Sequence, residues 1–211
     1  LETIQGGAGF IVPKDGYLKK VKQRCEEVGA LLIVDEIQTG IGRTGKFWGF
    51  EHFEIIPDII ISGKGLGGGM PIGAFIAQKN LMDVLKEHPT LGHITTFGGH
   101  PVIASAGVAT VNTIQNSTLI EDTLEKEQLI RSLLKHPLIK EIRGKGLMLA
   151  VLVESPEIAA KIIHRCLANG LILFFLLFEG RAIRITPPLT ISKKEISKGC
   201  KILLEILDEL S

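Results

Sequence analysis

A single lysine among glycines is the stretch of this chain best suited to chemistry. Residues 62–71 read Ser-Gly-Lys-Gly-Leu-Gly-Gly-Gly-Met-Pro, and they follow the apolar run Ile59-Ile60-Ile61. Glycines tolerate positive φ and let a ligand approach the main chain, so Lys64 in this loop suggests phosphate contact or covalent catalysis. A flexible surface turn with a solvated lysine explains this stretch, taken alone, equally well.

Two nucleotide-binding motifs match this loop only in part. Gly63, Gly65 and Gly68 satisfy the G-x-G-x-x-G spacing after a strand. A Rossmann motif requires a helix next, whereas residues 72–77 predict another strand. A Walker A loop would need serine or threonine after the lysine, and Gly65 stands there. Neither motif therefore accounts for the loop.

Two acids, Asp35 and Glu36, follow the continuous apolar run 30–34. Such a run predicts a parallel strand that is buried on both faces, and ligands bind at the carboxyl ends of these strands. A carboxylate buried there is unfavourable unless it pairs with a cation. The Walker B strand of a P-loop ATPase has the same pattern, so an ATPase fragment with Asp35-Glu36 as Walker B is an alternative.

Two further polar positions carry weaker signals. Thr96 lies in a glycine-containing loop before the predicted helix 102–114, where hydroxyls and amides can bind an anion or simply cap the helix. Arg184 lies in the predicted strand 183–185, beside two prolines. An arginine in such a strand is most often a surface ion-pair partner.

The composition is that of a globular protein with one or two domains. The 211 residues are 45% hydrophobic and 22% charged, and the net charge of +1 gives no reason to expect nucleic acid or an acidic membrane surface. The longest apolar run, 170–178, is too short to cross a bilayer. Three widely spaced cysteines without C-x-x-C predict a reducing cytoplasm, with no disulfide framework and no metal site.

The predicted elements alternate between helices and strands. Apolar spacing predicts a helix over Tyr17–Val28 that ends at Gly29, and a short helix over Leu81–Lys86 that is broken at His88-Pro89. From Leu119 the chain becomes more charged, and helices and strands suggest a smaller α/β domain. The further predictions are helices at 119–134, 156–168 and 192–210 and strands at 147–153 and 183–185.

Five motifs resemble one enzyme family in their order and spacing along the whole chain. They are Glu2-Thr3-Ile4-Gln5-Gly6, Asp35-Glu36-Ile37-Gln38-Thr39-Gly40, Ser62-Gly63-Lys64-Gly65-Leu66-Gly67-Gly68-Gly69, Thr96-Phe97-Gly98-Gly99 and Arg184-Ile185-Thr186-Pro187-Pro188-Leu189. Together they closely resemble the class III aminotransferases of the ornithine, acetylornithine and 4-aminobutyrate type. One such motif is weak evidence, whereas five in order make a chance match improbable.

The resemblance implies an α/β enzyme of fold type I, with a mainly parallel sheet layered with helices and a small C-terminal α/β domain. Residues 1–117 would form the C-terminal part of the large cofactor-binding domain, and residues 118–211 would form the small domain. It also implies a homodimer with shared active sites. The reaction would move an amino group from an amine or amino-acid donor to an α-keto acid.

The resemblance further implies pyridoxal 5'-phosphate as the cofactor, held by four residues of this chain. Lys64 would carry it as a Schiff base, and Asp35 would keep its pyridine nitrogen protonated. The chemistry independently fits these two residues, because the cofactor needs a lysine and an acid from its protein. Ile37 would pack on the ring face, and Gln38 would bond the ring hydroxyl oxygen.

Two more roles and two departures follow from the same resemblance. Thr96 would bond the cofactor phosphate of the neighbouring subunit, and Arg184 would bind a substrate carboxylate with its bidentate fork. Thr3 stands where the family usually has proline, which we expect to be of little consequence. Gly7 stands where ornithine-type members carry a glutamate that covers the arginine. Either another acid, in this chain or in the missing half, replaces that glutamate, or Arg184 stays open, and we expect the second.

The family's N-terminal half is not in this sequence, which we expect to be the C-terminal part of a longer protein. The chain alone should therefore hold the cofactor poorly. A non-catalytic paralogue, which keeps the fold only as an interaction partner, is the alternative in which the protein is not an enzyme.

Overall fold

The structure, a computed structural model, describes residues 1–87, 90 and 93–211. The described chain divides into two compact units, each with its own hydrophobic core. The first unit contains Leu1–Thr3, Pro13–Ile41 and Trp48–Ser117, and the second contains Ile4–Val12, Gly42–Phe47 and Thr118–Ser211. The predicted domains, 1–117 and 118–211, concern a whole enzyme and stay a prediction.

A three-stranded sheet positions the polar residues of the first unit. Its strands are β1 (Ile33–Asp35), β2 (Ile59–Gly63) and β3 (Gly73–Ala77), in the order β1-β2-β3. β1 and β2 are parallel, whereas β2 and β3 are antiparallel. The hydrophobic core of the first unit consists of Leu18, Leu32, Val34, Phe50 and Ile55. In the apolar run that precedes Asp35, Leu32 and Val34 are buried, whereas Leu31 and Ile33 are 51% and 41% exposed. The prediction of a strand that is buried on both faces is therefore wrong for the described residues.

The expectation of a mainly parallel sheet is wrong for the described residues, where the paired strands other than β1 with β2 are antiparallel. The connection from β2 to β3, residues 64–72, is shorter than the roughly dozen residues that a parallel crossover needs. The connection from β1 to β2, residues 36–58, is long enough for one. The short connection therefore excludes a parallel pairing of β2 and β3, whatever the apolar character of these strands.

The helices of the first unit follow local sequence signals. They are α1 (Tyr17–Val28), α2 (Lys79–Asp83) and α3 (Pro101–Gln115). α1 confirms the predicted range, and Gly29 ends it with a φ of 70° that favours glycine. α3 begins with a proline, whose missing N–H is not needed in the first turn. The predicted break at His88-Pro89 lies outside the described residues.

The second unit is an antiparallel sheet packed against helices. The helices are α4 (Leu119–Leu133), α5 (Pro156–Ala168) and α6 (Lys193–Asp208), and the strands are β4 (Glu141–Lys145), β5 (Met148–Leu152), β6 (Phe174–Phe175) and β7 (Ala182–Ile185). The strand order is β4-β5-β7-β6. Ile162, Ile183 and Leu203 join α5, β7 and α6 in one core.

The sequence predicted β5 and α5 but missed β4. All residues of β5 are buried, as its apolar run indicates, and α5 has the predicted bounds. β4 is an edge strand and carries three charged residues and a glycine. Such a composition is typical of edge strands and has no apolar signal that would mark a strand.

Two further observations concern residues 1–87, 90 and 93–211. No helix in these ranges is long and apolar enough to cross a bilayer. The same residues contain no group of three or more His, Cys, Asp and Glu side chains placed to hold a metal ion.

Candidate active site

Asp35 and Lys64 lie at the carboxyl ends of two neighbouring parallel strands. Asp35 is the last residue of β1, and its Cα is paired with that of Ile61 in β2. Lys64 directly follows Gly63, the last residue of β2. Because both strands run in the same direction, the carboxylate and the amine lie at the same end of the sheet, where both strands finish. Ligands of open α/β sheets bind at such edges.

Lys64 has a backbone conformation that is uncommon for a residue with a side chain. Its φ of 42° lies in the left-handed region. It begins a short 3₁₀ turn, Lys64–Gly67, and its side chain is exposed. A conformation of this kind persists only where the surrounding structure fixes it. The loop therefore holds Lys64 in a defined conformation and leaves its amine open to a ligand.

Close packing at two glycines fixes this loop. A Cβ at Gly63 would lie 3.2 Å from the carbonyl oxygen of Ile72 and 3.7 Å from the Ile37 side chain. At Gly68, whose φ is 57°, a Cβ would lie 2.2 Å from Oγ1 of Thr110 on α3. The lysine loop is thus packed against Ile37 and α3, which contradicts the interpretation as a free surface turn.

The half-buried Asp35 carboxylate has one oxygen held by the protein and one open to a ligand. Its Oδ1 accepts a hydrogen bond of 2.9 Å from the backbone N–H of Ile37. Within the part of the chain that the structure describes, Oδ2 has no hydrogen-bond partner. A carboxylate that is fixed through one oxygen is well suited to accept a hydrogen bond from a cationic N–H group.

The remaining predicted residues are divided between the two units. Ile37 and Gln38 are half-buried in the turn that follows β1, and Thr96 is exposed in the turn that precedes α3. These residues belong to the first unit, together with Lys64, whereas Arg184 belongs to the second. The structure brings Ile37 against the lysine loop. The roles of the other residues stay predictions.

Arg184 lies on β7, where it is paired with Ala150 in β5 and Phe174 in β6. Its Nε donates a 3.0 Å hydrogen bond to Oγ1 of Thr186. It lines a cavity of about 590 Å³ whose other walls, from α4, α6 and residues 171–174, are mostly apolar. In residues 1–87, 90 and 93–211 no carboxylate forms an ion pair with Arg184. Its remaining N–H groups are therefore suited to bind an anion.

Glu36 is a buried hydrogen-bond centre that the sequence analysis missed. Its side chain has no exposed surface. Oε1 accepts from the Thr3 hydroxyl and from the N–H of Phe50 at 2.9 Å. Oε2 accepts from the Thr39 hydroxyl at 2.6 Å and from the N–H of Gly49 at 2.7 Å. Both oxygens are used by the fold, so this carboxylate is not available to a ligand.

The alternation of side chains along a strand is a signal that locates Glu36. Val34 is buried in the core, Asp35 is half-buried, and Glu36 is buried again. Successive side chains of a strand point to opposite faces, and this period continues one residue beyond β1. The alternation therefore places the Glu36 side chain in the interior, where it serves the fold, and leaves the Asp35 side chain accessible to a ligand.

Thr3 has a structural role that we did not expect from its sequence. It is fully buried, and its hydroxyl donates to Glu36. The proline that the resemblance implies at this position has neither a hydroxyl group nor an N–H. The departure at this position therefore supplies one of the hydrogen bonds that satisfy the buried carboxylate.

Removing the Thr3 hydroxyl should destabilise the fold. We expect Thr3→Val to lower the free energy of unfolding by about 1.5–3 kcal/mol, the range for a hydrogen bond to a charged group. Thr113→Val is the matched control, because this exposed hydroxyl bonds only the Ala109 carbonyl of its own helix. The control should change stability by less than about 0.5 kcal/mol. Urea unfolding measures both variants, and equal effects would contradict the role of Thr3.

Gly7 is packed against Phe178. The N–H of Phe178 donates to the Gly7 carbonyl at 2.9 Å, and a Cβ at Gly7 would lie 3.1 Å from the aromatic ring. The Phe178 side chain is 82% exposed, so it is free to rotate away. A glutamate at this position would require that rotation. In this chain the space beside Gly7 is occupied by an apolar ring.

Known proteins resemble this chain along nearly its whole length. The family model for class-III aminotransferases matches residues 1–207. The putrescine aminotransferase of Pectobacterium atrosepticum is 41% identical over 218 residues, which cover 100% of this chain and 46% of that protein. The leucine/methionine racemase of Thermococcus litoralis is 41% identical over 211 residues, which cover 94% of this chain and 46% of that protein. The chain spans about half the length of the curated relatives it matches.

The fold of the chain is also found in solved structures. The ornithine aminotransferase of Toxoplasma gondii, whose active site is described with partial occupancy of pyridoxal phosphate, matches with a TM-score of 0.90 and 35% sequence identity. The match covers 99% of this chain and 50% of that chain. The two small sheets and their helices therefore correspond to part of a fold type I aminotransferase.

Proposed function

The chain belongs to the class III aminotransferases, and from this membership we propose that the whole protein transfers an amino group from an amine or amino acid to an α-keto acid. The observation that carries the proposal is the position of Asp35 and Lys64 at the carboxyl ends of β1 and β2. This edge supplies the acid and the amine that a pyridoxal-phosphate enzyme needs from its protein.

Five residues of the first unit would hold pyridoxal 5'-phosphate. Lys64 would bond its aldehyde carbon, and the open oxygen of Asp35 would accept the N–H of its pyridine ring. Ile37 would cover one ring face, Gln38 would bond the ring hydroxyl oxygen, and Thr96 would bond the phosphate in the neighbouring subunit. The bound cofactor would withdraw electrons from the substrate carbon beside the amine and so make its proton acidic.

Lys64 would also move that proton. When it is not bonded to the cofactor, the Lys64 amine, which its packed loop holds in place, would act as the base that takes this proton. A positioned base of this kind contributes roughly 10²–10⁴-fold in rate. Asp35 would act without moving, because the N–H of Ile37 already holds its Oδ1. A fixed negative charge beside the ring nitrogen would keep that nitrogen protonated, so that the ring could accept electrons from the reacting carbon.

The P-loop ATPase alternative is wrong. The aminotransferase family model matches residues 1–207, which include Asp35 and Glu36. In addition, both oxygens of Glu36 are occupied by donors of the fold. The non-catalytic alternative is different, because it keeps the same fold and predicts only that the protein has no turnover.

Racemisation is a second candidate function, because one relative with 41% identity is a leucine/methionine racemase. Both reactions begin by removing the proton from the carbon beside the amine. A transaminase then releases a keto acid. A racemase returns a proton to the opposite face of the same carbon and releases the other enantiomer.

The experiment that decides between these functions supplies the whole enzyme with one L-amino acid or ω-amine at a time. Transamination predicts a stoichiometric amount of keto acid or aldehyde without an acceptor, and continuous turnover when an α-keto acid is added. Racemisation predicts continuous formation of a D-amino acid without any acceptor. A protein that does neither with the whole panel would be the non-catalytic paralogue.

We propose that the preferred donors carry a carboxylate beside the amine. Arg184 has no carboxylate partner in the described ranges, and Gly7 has no side chain to provide one. A donor without a carboxylate would leave the guanidinium unpaired at the site, which is unfavourable. In the donor panel, α-amino acids should therefore have a higher kcat/KM than ω-amines. A wide preference for ω-amines would contradict this proposal.

We further propose a homodimer in which Thr96 serves the site of the neighbouring subunit. Lys64→Ala and Thr96→Ala proteins, each severely impaired alone, should recover activity when their subunits exchange. The expected recovery is about a quarter of the sites, because about half of randomly exchanged dimers are mixed and each of these has one intact site. No recovery after confirmed exchange would show that both residues serve the same site from one chain.

A further inference from the structure

Arg43 links two strand ends in the second unit. Its Nη1 donates to the carbonyl oxygen of Leu147 at 3.1 Å and to that of Pro187 at 2.6 Å. Leu147 directly precedes β5, and Pro187 lies shortly after β7. β5 and β7 are antiparallel neighbours, so these carbonyls lie at the same end of the sheet. Arg43 therefore holds the end of β7 on which Arg184 lies.

The charge of Arg43 is poorly compensated. In residues 1–87, 90 and 93–211 no carboxylate forms an ion pair with either Arg43 or Arg184. Burial, and secondly the positive charge of Arg184, lower the pKa of Arg43 to about 10. The guanidinium groups of Arg43 and Arg184 therefore repel each other, and no carboxylate of the described residues forms an ion pair with either.

Stability alone does not explain a positive charge at this position. A neutral amide can donate to backbone carbonyls, whereas burial and repulsion from Arg184 both disfavour a charged group. A carboxylate that binds at Arg184 would relieve this repulsion, because its negative charge attracts both guanidinium groups. The pair is therefore arranged for an anion that residues 1–87, 90 and 93–211 do not supply.

We propose that Arg43 is a positioning residue for the substrate carboxylate, because it holds the end of β7 and adds a second positive charge beside Arg184. The inference rests on the proposed function, in which Arg184 binds that carboxylate. Arg43 acts on the strand that carries Arg184 and, by its charge, on the bound carboxylate, but not on the reacting atoms. Its effect should therefore fall on the KM of the keto acid and not on the chemical step.

Lys126 offers a matched control. It is 7% exposed, and its Nζ donates to the Leu189 carbonyl at 2.6 Å. It thus donates one hydrogen bond to the backbone of the segment that follows Arg184. Arg43 also donates one hydrogen bond to this segment, at Pro187. Lys126→Gln removes a buried cation from this segment and leaves both carbonyl contacts of Arg43 in place.

The test measures the steady-state kinetics of the whole enzyme with the keto acid varied. Arg43→Gln should raise the KM of the keto acid about tenfold, as expected when one charge near the carboxylate is lost at an intermediate dielectric. The kcat, the cofactor absorbance and the melting temperature should change little. Arg43→Lys should keep a KM close to that of the unmodified enzyme, and Lys126→Gln should do the same.

Several outcomes would overturn the inference. One is an unchanged KM in Arg43→Gln while Arg184→Ala raises it. Another is an equal rise in Arg43→Gln and Lys126→Gln, which would assign both residues a merely structural role. If Arg43→Gln does not fold, a tenfold rise in Arg43→Lys, which keeps the charge, would also overturn it. An unchanged KM in Arg184→Ala would instead refute the carboxylate role of Arg184 in the proposed function, and this inference with it.

Discussion

Lys64→Ala should abolish turnover in the whole enzyme. The variant would lose the amine that bonds the cofactor and also the base that moves the proton, and the second loss by itself removes roughly 10²–10⁴-fold in rate. The fold should persist, because the Lys64 side chain is exposed. Steady-state turnover measures the loss of activity, and the melting temperature measures whether the fold persists.

Lys79→Ala is the matched control for this prediction. Lys79 is also exposed and follows β3 much as Lys64 follows β2, but it forms an ion pair with Asp83. The control should retain turnover close to that of the unmodified enzyme. Borohydride reduction followed by peptide mapping should then place the pyridoxyl group on Lys64. A pyridoxyl group on any other lysine would overturn the assignment.

Asp35→Asn should reduce the rate of the half-reaction by about 10²–10³-fold, the range for removing one fixed electrostatic group from an active site. A neutral amide does not keep the ring nitrogen charged, so the loss should appear in kcat rather than in cofactor content. The amide oxygen can still accept the N–H of Ile37, so the turn after β1 should keep its conformation. Single-turnover kinetics with a good donor measure this effect.

Asp58→Asn separates catalysis from stability in the same sheet. Asp58 precedes β2, at the opposite end of the strand from Lys64, and it accepts from Leu32 N–H at 2.7 Å and from Lys22 Nζ at 2.9 Å. These bonds, the Leu32 N–H first, hold the pKa of Asp58 below its usual value. The control should lose stability and keep the single-turnover rate. A near-normal rate in Asp35→Asn would show that Asp35 has only a structural role.

The sequence by itself determined the elements that depend on neighbouring residues. Gly29 ends α1 because it adopts a left-handed conformation, and Ser155 caps α5 by accepting from the N–H of Ile158. Both interactions act within a few residues, and the predicted ranges of both helices agree with the observed bounds. The positions of Asp35 and Lys64 after apolar runs were equally local, and they suggested chemistry at two strand ends.

The tertiary structure decided which distant residues meet. The Thr3 hydroxyl reaches Glu36 across 33 positions, and Arg43 reaches Leu147 and Pro187 across 104 and 144 positions. The alternation along β1 indicates that Glu36 faces the core, but not which donors it finds there. Hydrogen bonds between distant segments form only when the fold brings them within about 3 Å, and no local propensity encodes that distance. For this reason the sequence indicated the acid and the amine of the candidate site, while the fold decided which donors surround Glu36 and which carbonyls Arg43 meets.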